Sequence, residues 1–206
     1  FHEGDSLNQM RLVYNNNIYL NDKDLVKINK TKKLCFSNKK AIFENGLKLT
    51  IDLSNDKTIC AYRSKINAPL VYFSKNKYHN HKKYWEPIKP KNKSLIIKKN
   101  NFYILKSKEK ICIPPNLAGE MIPYDTGIGD FRVHYAGFFD PGFGYSMGSF
   151  AVLELKTHEV DFIIEDGQTI ARIQYEKLNK SSSMLYGKTI NSNYQNQELA
   201  LSKHFY

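Results

Sequence analysis

The chain has 206 residues, a formal net charge of +11 and 41% hydrophobic residues, among them fourteen Tyr and twelve Phe. This length fits one domain with a packed core, and with no run of about 18 apolar residues there is no candidate membrane-spanning helix. Only four of the 31 basic residues are arginine (Arg11, Arg63, Arg132, Arg172). The charge therefore reads first as a solvated lysine-rich exterior and only second as an attraction for anionic ligands.

The opening residues, FHEGDSLNQMR, lack the basic, apolar and small-residue order of a signal peptide. They instead match a later stretch: in HEGDSLNQMRL and EDGQTIARIQY, Gly4 falls on Gly167, Leu7 on Ile170 and Met10 on Ile173. Both read as a glycine turn feeding an alternating strand, so residues 1–14 are expected to be a lead-in or the last strand of a preceding repeat. Residues 15–40 read as a linker with one short peripheral helix over 20–30, with Asn21 as N-cap and Asp24 in the first turn.

From Ala41 the pattern changes to short strands: Ile42-Phe43, the turn Asn45-Gly46, then Leu47–Leu53 and Ile59–Tyr62. Residues 64–94, rich in lysine and asparagine around Tyr84-Trp85-Glu86-Pro87, read as a long, partly ordered excursion. Strands resume at Leu95–Ile97, Phe102–Leu105 and Ile111–Ile113, before Pro114-Pro115. The stretch that organises the rest is Phe131–Leu155, FRVHYAGFFDPGFGYSMGSFAVLEL. It has a strand over 131–135, a small-residue break, the turn Asp140-Pro141-Gly142, a glycine-rich loop and a second strand over 150–155 that carries Glu154. Alternation is expected to set Glu154 on the buried side, where an ionised carboxylate is rare without a partner. Val160–Ile164, the turn Asp166-Gly167 and Thr169–Tyr175 complete the strands, and 179–206 is a polar tail. Many short strands at close spacing predict an all-β fold. Three dispersed cysteines (Cys35, Cys60, Cys112) without a CxxC pair predict free thiols and a cytoplasmic, reducing setting.

Several of these segments resemble the deoxycytidine triphosphate deaminases of the trimeric dUTPase-like fold. The likeness rests on FDPGF followed by AVLEL, on FYILKSKEKICIPPNLAGEM upstream, and on Tyr194-Gln195-Asn196-Gln197 in the tail. It is strongest to the second half of the double-length bacterial form, through FRVHYAGFFDPGFG, HEV…DGQ and SNYQ…LSKHF. The resemblance implies a β-clip, distorted-barrel domain over 41–178 with a β-arm, and a C-terminal tail, 179–206, that closes over nucleotide. It implies Glu154 as catalytic acid and base, and substrate contacts from Ala136, Asp140, Val152, Leu153, Tyr186, Tyr194 and Gln197. Arg132 is the best local candidate for a phosphate contact, with a salt bridge about equally expected. The implied substrates are dCTP and dUTP, with Mg2+ arriving on the triphosphate. The implied assembly is a trimer-like homo-oligomer, or a pseudo-oligomer with a preceding repeat.

Zinc deaminases need an H-x-E and a P-C-x-x-C ligand set, which the sequence lacks, so a zinc-independent deaminase with no protein-held metal is expected. One departure stands out. Where single-domain members carry a Gly-Arg-Ser-Ser…Arg segment to seat the triphosphate, Met121–Asp130 (MIPYDTGIGD) has two aspartates and no arginine, lysine or serine. Either this half borrows that segment from a preceding first half or this copy has lost turnover. The other readings are a bifunctional deaminase and diphosphatase yielding dUMP, a non-catalytic half that scaffolds a partner, and a basic nucleic-acid-binding β-domain. Neither a membrane nor a nucleic acid is the expected partner.

Overall fold

A computed structural model describes residues 19–37, 40–123, 131–133, 137–157, 160–188 and 194–206, with the main chain alone at 131–133. The expected repeat-closing strand at 1–14 lies outside the described residues. Just beyond it, Tyr19 forms an antiparallel bridge with Glu176.

The helix is α1 (Asp22–Lys32). The Asn21 side chain accepts from the amide of Asp24 at 3.0 Å, and acidic residues in the first turn and basic ones in the last complement the helix dipole. Leu25 is its buried anchor. The Asp22 carboxylate accepts from the amides of Asn45 and Gly46 and ties the helix to that turn. The strands in chain order are β1 (Cys35–Phe36), β2 (Leu47–Thr50), β3 (Ala61–Ser64), β4 (Trp85–Ile88), β5 (Ser94–Ile97) and β6 (Phe102–Ile111). They continue with β7 (Leu117–Pro123), β8 (Phe131–Val133), β9 (Phe138–Phe139), β10 (Ser149–Thr157), β11 (Phe162–Glu165) and β12 (Thr169–Lys177).

The described strands form three sheets. One runs β4-β3-β6-β10-β8, with β1 also paired to β6; the second is β2-β12-β7-β9; the third is the ribbon β11-β5. All the strand pairs are antiparallel. The all-β architecture is as expected from the short strands, although among the described residues these sheets stay open rather than closing into one barrel. Their inner faces meet in a common core: Leu47 and Leu49 of β2, Tyr103 and Leu105 of β6, Leu153 and Leu155 of β10, and Ile173 and Tyr175 of β12 are at most 1% exposed.

The excursion over 64–94 is more ordered than its composition implies. It holds a 3-10 turn at His81–Lys83 as well as β4, and an aromatic knot of Tyr72, His79, Tyr84 and Trp85 closes around Phe205 from the far end of the chain. These aromatics are irregularly spaced, so no period in the sequence announces them.

Candidate active site

Burial alternates along β10. Ser149, Ala151, Leu153, Leu155 and Thr157 face the core, while Phe150, Val152, Glu154 and Lys156 are half-buried on the opposite face. Glu154 is therefore not on the core side. The alternation is real, but its phase is set by Leu153 and Leu155, which are larger and apolar and take the interior. Glu154 stands opposite Ile104 of β6, itself 7% exposed. Glu154 makes no hydrogen bond or ion pair among the described residues. Burial pushes its carboxyl above the usual carboxylate range.

The approach to Glu154 is shaped by an irregularity in the β6–β10 ladder. Phe150 pairs with Lys110 and Val152 with Lys106, so two steps along β10 match four along β6. Such a bulge would leave a buried amide unpaired. The fully buried Ser107 takes it up: its hydroxyl accepts from the amide of Ala151 at 3.0 Å and donates to the carbonyl of Glu109 at 2.7 Å. Bulges bend a strand and re-aim its side chains. This one immediately precedes Val152 and Glu154.

The loop from Asp140 to Gly148 packs back onto the start of β10. At Gly144, with φ +62°, a Cβ would lie 2.0 Å from the carbonyl oxygen of Ile111, so only glycine fits. The tail docks on this loop. Tyr186 donates its amide to the carbonyl of Pro141 at 2.9 Å and packs on Phe143, with ring centroids 5.8 Å apart. The Gln195 side-chain carbonyl accepts from the amide of Gly144 at 3.0 Å, and its amide donates to the carbonyl of Gly142 at 3.3 Å. Gln197 donates from its side chain to the carbonyl of Phe150 at 3.1 Å and from its main chain to the Ser149 hydroxyl at 3.2 Å. Tyr194 accepts from the Ser149 hydroxyl at 3.3 Å and packs against the core. A cavity of about 300 Å³ opens between loop and tail, lined by Gly142, Tyr145, Tyr186, Lys188, Gln195 and Asn196 among others.

The structure thus brings Tyr186, Tyr194 and Gln197 onto the loop that begins at Asp140, an exposed residue, and onto the start of β10. Val152 shares the face of Glu154, whereas the Leu153 side chain is in the core. Leu153 can meet a ligand on that face only through its main chain. Arg132 pairs with Lys156 in the β8–β10 ladder, and Ala136 lies outside the described residues. Sequence reasoning missed Ser107, Gln195 and Lys106 as site-shaping residues. Of these only Gln195 carried a signal, as a member of the tail motif.

Over residues 21–205 the chain matches the family model described as 2'-deoxycytidine 5'-triphosphate deaminase, C-terminal domain. None of the curated protein sequences compared matches it. Among solved structures it is similar to the crystal structure of 2'-deoxycytidine 5'-triphosphate deaminase from Agrobacterium tumefaciens, with a TM-score of 0.72 and 39% identity. That match covers 81% of this chain and 50% of the other, so the chain spans about half the length of that relative.

Proposed function

The chain belongs to the 2'-deoxycytidine 5'-triphosphate deaminase family, and from that premise we propose that it takes part in the hydrolytic deamination of dCTP to dUTP and ammonia, with Glu154 as general acid and base. The observation that carries the reading is a carboxyl on a half-buried sheet face, without a partner among the described residues and raised above its ordinary range by desolvation. Such a group holds its proton to higher pH than an exposed carboxylate does, which suits a general acid and base.

In the reaction, the Glu154 carboxylate takes a proton from water as its oxygen adds to C4 of the cytosine. That proton passes to N3 of the ring and stays there, and Glu154 then carries the proton of the added hydroxyl to the exocyclic nitrogen. The tetrahedral carbon collapses to a carbonyl as the C4–N bond breaks and ammonia leaves. Proton transfer of this kind contributes about 10²–10⁴-fold, so backbone donors and positioning must supply the rest. Val152 would flank the base, Asp140 and Ala136 the sugar and base edges, and Tyr186, Tyr194 and Gln197 the phosphate end. Mg2+ enters as part of the substrate complex, and no step is assigned to a protein-bound metal.

Two further readings belong here. The composition of Met121–Asp130 favours a site completed by a neighbouring copy or repeat, in a trimer-like assembly, or failing that a scaffolding half. Whether a diphosphatase step to dUMP follows is read from the same assay. The buried thiols of Cys35, Cys60 and Cys112 are pushed up to about 12, 11 and 11 by burial, which fits inert thiols in a cytoplasmic protein. The decisive experiment incubates the full-length protein with Mg·dCTP and resolves ammonia, dUTP and dUMP. Ammonia release that disappears in Glu154→Gln supports the proposal, and release at the wild-type rate in that variant overturns it.

A further inference from the structure

A triphosphate needs cations where its phosphates lie, and Met121–Asp130 brings none. The face that carries Glu154 has them at another place. In a regular strand, residues four apart are separated by about 13 Å, too far for two lysines to meet over one ring. In the β6–β10 ladder the register shift sets Lys106 and Lys110 against residues only two apart on β10. The ammonium groups of Lys106 and Lys110 lie 4.4 Å and 4.8 Å from the centroid of the same ring, Phe150. Phe150 is on the Glu154 face of β10, and the ladder pairs Lys106 with Val152 and Lys110 with Phe150.

Drawing like charges together is unfavourable, and it is only partly relieved. The Lys106 ammonium lies 3.0 Å from the Glu198 carboxylate and 3.7 Å from that of Asp52, whereas Lys110 makes no ion pair among the described residues. The tail arrives at the same point, with Gln197 bonded to the carbonyl of Phe150.

We propose that Lys106 and Lys110 seat the phosphates of the nucleotide whose base lies against Glu154, and that Glu198 of the tail occupies Lys106 until a phosphate displaces it. The assignment rests on the deaminase reading of Glu154. The four residues from Glu154 back to Phe150 span about 10–13 Å of strand, so a base at one end runs its sugar and phosphates toward the lysine pair at the other. A nucleic-acid strand is the weaker fit. Base stacking needs an open aromatic face, and here Phe150 is half-buried with two ammonium groups over it.

The test is calorimetric titration of the full-length protein with Mg·dCTP and with dCMP, for wild type, Lys106→Gln, Lys110→Gln, Lys106→Arg and Glu198→Gln. Loss of one charge-assisted phosphate contact is expected to weaken dCTP about tenfold or more, with dCMP changed far less. Lys106→Arg should retain most of the dCTP affinity, and Glu198→Gln should tighten dCTP by removing the competing anion. Lys110, which has no ion pair to lose among the described residues, keeps the test valid if Lys106→Gln loosens the tail. Equal weakening of dCTP and dCMP, or a loss in Glu198→Gln matching that in Lys106→Gln, would mean that Lys106 merely pins the tail, and the assignment falls. It falls too if a single-stranded oligonucleotide binds with this lysine dependence while dCTP shows none. If the folded wild type binds neither dCTP nor dCMP, the deaminase reading itself is what fails.

Discussion

Glu154 sits uncomfortably for a carboxylate, on a half-buried sheet face with no hydrogen bond or ion pair among the described residues. Its carboxyl is raised by burial, so the folded state favours the protonated form more than the unfolded chain does. The sign follows from linkage. Below the unfolded value both states are protonated and the group costs nothing; between the unfolded and the raised folded value only the unfolded chain ionises, so native stability falls as pH rises, and above the folded value the loss is complete. Glu154→Gln is therefore expected to raise the melting temperature at pH 8, with the gap to wild type closing by about pH 4. A melting temperature equal to or below wild type at pH 8 would mean that the carboxylate is stabilised by something other than solvent. Glu109 is a useful contrast. It is also raised by burial, yet it accepts from the amide and the hydroxyl of Thr50, both at 2.7 Å. Those two bonds satisfy its carboxylate, whereas Glu154 makes no such bond among the described residues.

At the scale of elements, what the sequence made legible was what repeats. Helix α1 could be placed from Asn21 and its acidic first turn, and β10 and β12 from their alternation. The β6 bulge could not be, because SKEK has no special composition. The irregularity exists only through Ser107 meeting the amide of Ala151 across the ladder. Ser107→Ala should leave that amide unpaired in a dry setting, at a cost of about 1–3 kcal/mol, seen as a lower urea midpoint with an unchanged m-value. An unaltered midpoint would show that water or a relaxed ladder replaces the hydroxyl. The tail was legible as a motif, and its folding back only through the resemblance, since its contacts are mostly side chain to main chain and have no period. Gln195→Leu keeps much of the volume while deleting both bonds to Gly142 and Gly144. Hydrogen exchange is expected to speed up at the Gly144 amide and across 194–197, with the β6–β10 ladder unaffected. Protection that persists at Gly144 would assign the docking to Tyr194 and Tyr186 packing instead.

Across the whole molecule the tail does more than close over one loop, because it is fastened to one sheet at two separate places. Gln197 and Glu198 hold it at β10 and β6, and its last residues add themselves beside the excursion at β4, an edge of that sheet. There the amide of Lys77 donates to the carbonyl of Lys203 at 2.8 Å, and His79 pairs in parallel with Phe205. The Phe205 ring lies 5.2 Å from Tyr84 and 6.0 Å from Trp85. His79 is buried, and its Nε2 accepts from the amide of Tyr72 at 2.9 Å. In the neutral ring the proton therefore resides on Nδ1, which faces the Tyr84 hydroxyl at 2.9 Å, and that hydroxyl donates to the carbonyl of Leu70 at 3.2 Å. Residues 70–84 are thus ordered largely around a ring contributed from more than a hundred positions later in the chain. Phe205→Ala should remove about 2–3 kcal/mol, below the range for a fully buried Phe, because this one is half-buried. Limited proteolysis should then cut within 64–84 while the β6–β10 core stays intact. Since the same tail carries Glu198 to Lys106, Phe205→Ala should also shift the affinity for Mg·dCTP, although Phe205 lies across the sheet from Glu154. Faster cleavage with unchanged nucleotide affinity would show that the two anchorages are independent, and that the clip at β4 serves stability alone.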